Sequence, residues 1–257
     1  MSPLSPSAPL SPSPPLVLAS LSGQSDAEWA LAAAEWAGCA FLGGIALDAP
    51  SREAARELVA RDRTEFLPDD PVAFVDDQLA ALQDEPLQAG INVRSASADA
   101  IPAVARVCRK RDALLEINAH CRQPELCAVG CGETLLRDTD RLGEYVATAV
   151  DCGATVGVKI RAEVPGVDLP ALCRSLEAAG ASFVHVDAMD SESVIADVTD
   201  ACDLYVIANN GVRDESTVRE YLAYGADAVS VGRPSDNPVV LERVRRALEN
   251  ETPATDR

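Results

Sequence analysis

The stretch "LLEINAHCRQPELCAVGCGETLL", Leu114 to Leu136, gathers Asn118, His120, Cys121, Cys127 and Cys131 behind a short apolar run. It holds one of the chain's two histidines and three of its eight cysteines. Two chemistries are open to such a cluster. A thiol is a usable proton donor near neutral pH, and four soft side chains are also a metal-ligand set. The spacing is not that of a zinc ribbon, Cys-x-x-Cys is absent, and adjacent His120 and Cys121 ligate one ion awkwardly. Elsewhere the other histidine, His185, and one of only two lysines, Lys159, stand at the ends of apolar runs. The segments "NNGVRDES" (209–216) and "VGRPSDNP" (231–238) each run from a strand through glycine into a helix start. Backbone N–H groups at such a turn hold anions, and Arg233 supplies a counter-charge.

These residues need elements to bring them together. From Leu16 onward short apolar runs alternate with longer amphipathic ones, the pattern of parallel strands joined by crossover helices. Strands are predicted at 16–21, 39–47, 87–93, 113–118, 155–160, 182–187, 204–209 and 227–232, and several intervening helices open on Asp and close on Gly. Residues 48–86 exceed one helix and predict an inserted helical pair after the second strand. Eight strand–helix repeats in a chain of 257 residues predict a single α/β domain, a (β/α)8 TIM barrel over 16–250, rather than an open doubly wound sheet. Active sites of such barrels lie at the C-terminal strand ends. Asn92, Asn118, Lys159 with Arg161, His185 with Asp187, and Asn209 with Asn210 all end strands and so converge on one rim. The loops after strands seven and eight, with Gly211, Gly232 and Arg233, fall where barrels bind phosphate.

Composition sets the surroundings. Net charge is −19, so the surface repels nucleic acid and anionic membranes at low salt and suits a salt-rich, halophilic cytoplasm. The cysteines are scattered through apolar runs of a chain too large to need staples, which predicts reduced thiols and a cytoplasmic location. "MSPLSPSAPLSPSPP" (1–15) lacks the basic flank and long apolar core of an export signal, and its Pro/Ser composition predicts a disordered tail; 251–257 form a short C-terminal tail.

The chain resembles the flavin-dependent tRNA-dihydrouridine synthases, relatives of the dihydroorotate dehydrogenases. Asn118, Cys121, Gly132, Leu135 and Leu136 match that family's signature without a gap. "VKIR" matches its VKxR, His185 its strand-six histidine, "ANN" its ANG, and Gly232, Arg233, Asn237 and Pro238 its GR…NP. The resemblance implies FMN across the barrel mouth, held by Asn92, Lys159, His185, Asn209, Gly211, Gly232 and Arg233. It implies a pyrimidine held by Asn118 and Arg161, with Cys121 exchanging a proton at one carbon while the flavin exchanges hydride at its neighbour.

The departures are specific. Arg122 replaces a proline, and Asp187 replaces an arginine. The tRNA-modifying members carry a helical domain after the barrel, for which this sequence has no room. The substrate expected is therefore a uracil-type pyrimidine, free or within tRNA, with a dihydroorotate dehydrogenase-like enzyme and a non-catalytic phosphate-binding barrel as alternatives.

Overall fold

In a computed structural model, which describes residues 10–251, eight parallel strands close into a barrel in sequence order. They are β1 (Leu16–Leu18), β2 (Cys39–Ala46), β3 (Gln88–Arg94), β4 (Leu114–Asn118), β5 (Thr155–Arg161), β6 (Phe183–Asp187), β7 (Tyr205–Asn209) and β8 (Ala228–Val231). Closure rests on β8 returning to β1, Val17 opposite Ser230 and Leu18 opposite Val231, which rules out the open sheet. Only β1 is clearly shorter than predicted. After Ala19 the chain turns into the barrel mouth, where the Ser25 hydroxyl accepts from Leu21 N (2.8 Å) and donates to its carbonyl (2.9 Å).

The expected insertion after β2 is the pair α2 (Ala49–Val59) and α3 (Pro71–Ala80), and the loop between them passes along the mouth. The remaining helices are α1 (Ala27–Ala32), α4 (Ile101–Lys110), α5 (Pro124–Ala128), α6 (Glu133–Arg137), α7 (Thr139–Asp151), α8 (Leu169–Ala178), α9 (Val194–Thr199), α10 (Glu215–Ala223) and α11 (Pro238–Glu251). Asp48, Asp70, Asp168 and Asp214 cap α2, α3, α8 and α10 by accepting first-turn N–H bonds. None of the helices is long and apolar enough to cross a membrane, among the described residues.

Period-two alternation divides each strand. Outward residues such as Leu16, Ile91, Leu115, Val158 and Val184 pack under the helices. Inward residues fill the lower barrel with Val17, Cys39, Phe41, Leu114, Phe183, Ile207 and Ala228. Two glycines make room for the rings: a Cβ at Gly90 would lie 2.5 Å from the Phe41 ring, and one at Gly157 2.3 Å from Phe183. Leu10 closes this end and is buried in the same cluster. The predicted tail thus divides: residues 1–9 lie outside the described residues, whereas Leu10 is a barrel-floor residue because the floor offers apolar surface that a Pro/Ser segment with one well-placed leucine can cover. Of the predicted C-terminal tail, 252–257 lie outside the described residues, and Glu251 ends α11. All eight cysteines are unpaired.

Candidate active site

Above the apolar floor the inward positions turn polar, and they are joined by one hydrogen-bond chain. Asn118 Nδ2 donates to Asn92 Oδ1 (2.9 Å), Asn92 Nδ2 donates to Glu116 Oε1 (2.6 Å), and Glu116 Oε2 lies 2.7 Å from His185 Nδ1. His185 Nε2 then lies 2.8 Å from Ser230 Oγ, which lies 2.9 Å from the Asn209 amide. Asn92, Glu116 and His185 are wholly buried. Burial pushes the Glu116 carboxyl up, but His185, Lys159 and the Asn92 hydrogen bond outweigh it and hold the group ionised. Burial, then the Lys159 charge, holds His185 below the usual imidazole range, so the neutral ring carries its proton on Nδ1 toward Glu116. Glu116 and Ser230 escaped the sequence reading. The available signal was a carboxylate inside the apolar run "ALLEIN", at an inward position that only a partner could make tolerable.

Over this layer opens a cavity of about 860 Å³ at the C-terminal rim. Cys121, Asn118, Arg161, Lys159, Asn209, Gly211, Gly232 and Arg233 line it, whereas Asn92 and His185 lie beneath it. Arg63, Arg94, Arg122 and Arg213 also line it, so seven cationic side chains face two carboxylates, Glu65 and Asp187, in a chain of net charge −19. Arg94, on β3, is pinned by Glu65 (2.6 Å) in a buried ion pair that ties the α2–α3 loop to the barrel. A smaller hollow of about 520 Å³ at the opposite end, beside Tyr205 and Asp227, has no cationic lining.

Lys159 is the least ordinary of these groups. Its side chain is 3% exposed, and among the described residues its ammonium makes no hydrogen bond or ion pair closer than 4 Å. Burial pulls its pKa down, while the fields of Glu116 and Asp187 pull it up without prevailing. Asn118 is spent largely on its own loop: its Oδ1 accepts from His120 N (3.2 Å) and Cys121 N (3.1 Å), leaving one N–H for a ligand. The Cys121 thiol packs with Ala54 and Leu58 of α2, Leu126 and Cys131, and burial pushes it up to about 11. It also lies against Gly132, where a Cβ would be 2.5 Å from the sulfur; this explains the glycine at that place in the signature. Arg161 donates to Glu133 Oε2 (3.1 Å), and its buried Nε has no protein partner.

At the ends of β7 and β8 the backbone is open. Among the described residues, the N–H groups of Gly211, Val212 and Arg233 meet no protein acceptor. A Cβ at Gly232 would meet nothing within 4 Å, and one at Gly211 only the Arg213 Nη1 at 3.9 Å. The helix expected to follow Arg233 begins only at Pro238, as α11, and Arg233–Asp236 form a four-residue 3-10 turn that breaks at Asn237. Its dipole is correspondingly small. His120 turns toward Asp187 and away from the cysteines, and among the described residues no three His, Cys, Asp or Glu side chains stand together as metal ligands.

The profile of the dihydrouridine synthase family matches residues 75–256, most of the chain. The chain belongs to the dihydrouridine synthase family. An uncharacterised protein of Methanocaldococcus jannaschii is 26% identical over 231 residues, covering 85% of this chain and 88% of its own. Among solved structures the fold is similar to morphinone reductase in complex with tetrahydroNAD, at TM-score 0.70 and 13% identity over 96% of this chain and 90% of the other. It is also similar to a chain of the tryptophan synthase complex of Pyrococcus furiosus, at TM-score 0.57 and 13% identity over 91% and 95%. Both likenesses concern the barrel. The family match begins in α3, so the loop after β1, residues 19–24, and the mouth loop carrying Arg63 and Glu65 are the part of the site outside it.

Proposed function

We propose that the protein is an FMN-dependent oxidoreductase acting on the C5–C6 bond of a uracil-type pyrimidine. The observation that carries the reading is Lys159, a largely buried side chain on the cavity wall whose ammonium makes no direct hydrogen bond or ion pair among the described residues. An ammonium at a cavity wall whose hydrogen bonds no protein group takes up is free to meet a ligand. The donor set fits FMN at both ends. The open N–H groups of Gly211, Val212 and Arg233 and the guanidiniums of Arg213 and Arg233 suit a phosphate, and the side-chain-free space at Gly232 leaves it room.

Bound FMN would supply hydride exchange. The chain's own residues bind, orient and compensate charge. Lys159 would offset negative charge on the reduced isoalloxazine. The chain Asn92–Glu116–His185–Ser230–Asn209 sets the directions of Asn118 and Asn209 from below, and Glu116 gives Lys159 a balancing charge without occupying its hydrogen bonds. The remaining Asn118 N–H and the Arg161 Nε are free to meet the carbonyl groups of a pyrimidine. The surface charge of −19 favours a free pyrimidine over tRNA.

The test is the visible absorption spectrum of the purified protein before and after addition of FMN. Flavin bands that stay with the protein through gel filtration are expected. Lys159→Met should weaken their retention, and a protein that retains no flavin under either condition would end this reading.

A further inference from the structure

Cations stand at two poles of the large cavity. Gly211, Arg213, Gly232 and Arg233, at the ends of β7 and β8, form the phosphate site proposed above. Arg63 and Arg122 line the cavity around the end of β4, which lies opposite β8 in the closed order of the strands. FMN carries a single phosphate, so a flavin seated at β7 and β8 leaves the second pole without an anion. Both arginines are exposed, and among the described residues neither guanidinium makes a hydrogen bond or an ion pair. Neither belongs to the family signature: Arg122 stands where that signature has proline, and Arg63 precedes the family match.

A buried latch sets the place of Arg63. Arg94, at the end of β3, pairs with Glu65 at 2.6 Å, the two side chains being 4% and 1% exposed. Arg94 also donates to the Ser22 hydroxyl, and Thr64 Oγ1 donates to the Ser22 carbonyl at 3.1 Å. The two loops meet so closely that a Cβ at Gly23 would lie 2.5 Å from Glu65 N. On the other side of Arg63, Arg61 forms an ion pair with Glu125 in the first turn of α5, so the mouth loop lies against the segment that Arg122 begins. Glu125 does not line the cavity; its own backbone N–H and then Arg61 hold its carboxyl below the usual carboxylate range, and the Arg63 charge adds to them. Of the two carboxylates that do line the cavity, Glu65 is paired with Arg94 and Asp187 is bonded to His120.

We propose that Arg63 and Arg122 bind the 5′-phosphate of a pyrimidine ribonucleotide, so that the substrate of this site is a mononucleotide of the uridine 5′-phosphate type. The inference rests on the reading above that a uracil-type ring meets Asn118 and Arg161. Those side chains are buried at their strand ends, whereas Arg63 and Arg122 approach from loops beyond the strands. An anion on the ring itself would fall to Arg161, and one carried on a ribose falls to the outer pair. Guanidiniums suit phosphate because they donate in parallel to two of its oxygens. Gln24 and Gln123, also on the cavity wall, offer amide groups to the ribose hydroxyls. The surface charge of −19 repels the further phosphates of a polynucleotide, while the two guanidiniums attract the one phosphate that enters the mouth.

Isothermal titration calorimetry in excess FMN tests this, with uridine 5′-phosphate, uridine, orotate and a uridine-containing oligoribonucleotide as probes. The excess flavin keeps the probes out of the β7 and β8 site. Uridine 5′-phosphate should bind about ten- to hundredfold more tightly than uridine, as charge-assisted hydrogen bonds to one added phosphate allow. Arg63→Gln combined with Arg122→Gln should erase that advantage. Arg233→Ala should keep it, because Arg233 belongs to the other pole. Uridine binding as tightly as its phosphate overturns the assignment, as does an advantage that survives the double substitution or disappears in Arg233→Ala. Orotate binding more tightly than the nucleotide would put the anion on the ring and overturn it too, and an oligoribonucleotide preferred over the mononucleotide would do the same by making the phosphate part of a polymer. Failure of the flavin reading is separately visible as a protein that retains no flavin; the same titrations without FMN then still report whether the nucleotide's advantage depends on Arg63 and Arg122.

Discussion

Arg233 illustrates how much a single residue's meaning depends on its neighbours. It is exposed, lines the cavity, and begins a 3-10 turn whose own dipole is slight, so an anion there draws on the guanidinium and on open N–H groups more than on a helix. Arg233→Ala should therefore weaken FMN by about ten- to hundredfold and riboflavin little, since a charge-assisted hydrogen bond contributes roughly 1.5–3 kcal/mol and only FMN carries the phosphate. Titrating both ligands against the variant by fluorescence checks this, and equal losses would remove Arg233 from the phosphate site. Glu116 makes the complementary case. It touches no cavity, yet it holds Asn92 and His185 and balances Lys159, so its role is to keep the floor of the site in one arrangement.

At the scale of elements, Asp48 joins two pieces that frame the mouth. Its Oδ1 accepts from Ser51 N (3.1 Å) as the α2 cap, and its Oδ2 accepts from Ser95 Oγ (2.9 Å), Ala96 N (2.8 Å) and Ser97 N (3.0 Å) in the loop after β3. Losing a cap alone costs about 1–2 kcal/mol, and the orphaned N–H groups after β3 add to it. Asp48→Ala should destabilise the fold by at least about 2 kcal/mol in urea titration, whereas Asp70→Ala, whose two bonds stay within the first turn of α3, should cost about 1 kcal/mol. Equal costs for the two would mean that the link to β3 contributes nothing.

The whole molecule carries its charge unevenly. A net −19 surrounds a cavity in which cations outnumber carboxylates seven to two. The surface should repel itself in dilute buffer, and screening should relieve that repulsion. Thermal midpoints are expected to rise from low to molar KCl, by about 2–4 °C for each kcal/mol recovered in a chain of this size. A midpoint indifferent to salt would refute the halophilic reading of the composition.

The amino-acid sequence alone determined the barrel, because hydrophobic periodicity is a local property and eight strand–helix repeats leave little other way to bury both faces of a parallel sheet. It also determined the rim: Asn118, Lys159, Arg161, Asn209 and Arg233 stand at strand ends whatever the details of packing, and all of them line the cavity. Three matters waited for tertiary structure. One was depth: Asn92 and His185 occupy inward positions like Lys159, but the stagger of the strands places them a layer below it. Another was partnership between residues distant in sequence. Metal ligation by His120 and its neighbouring cysteines stood as an alternative in the sequence, and β6 brings Asp187 to 2.7 Å from the imidazole, 67 residues away. The last was surroundings, since spacing puts Cys121 at the C-terminal end of the barrel while only the packing of α2 shows that this cavity-lining residue is backed by Ala54, Leu58 and Leu126. Periodicity reports which way a side chain faces relative to its own strand; what it meets there depends on elements that the chain reaches much later.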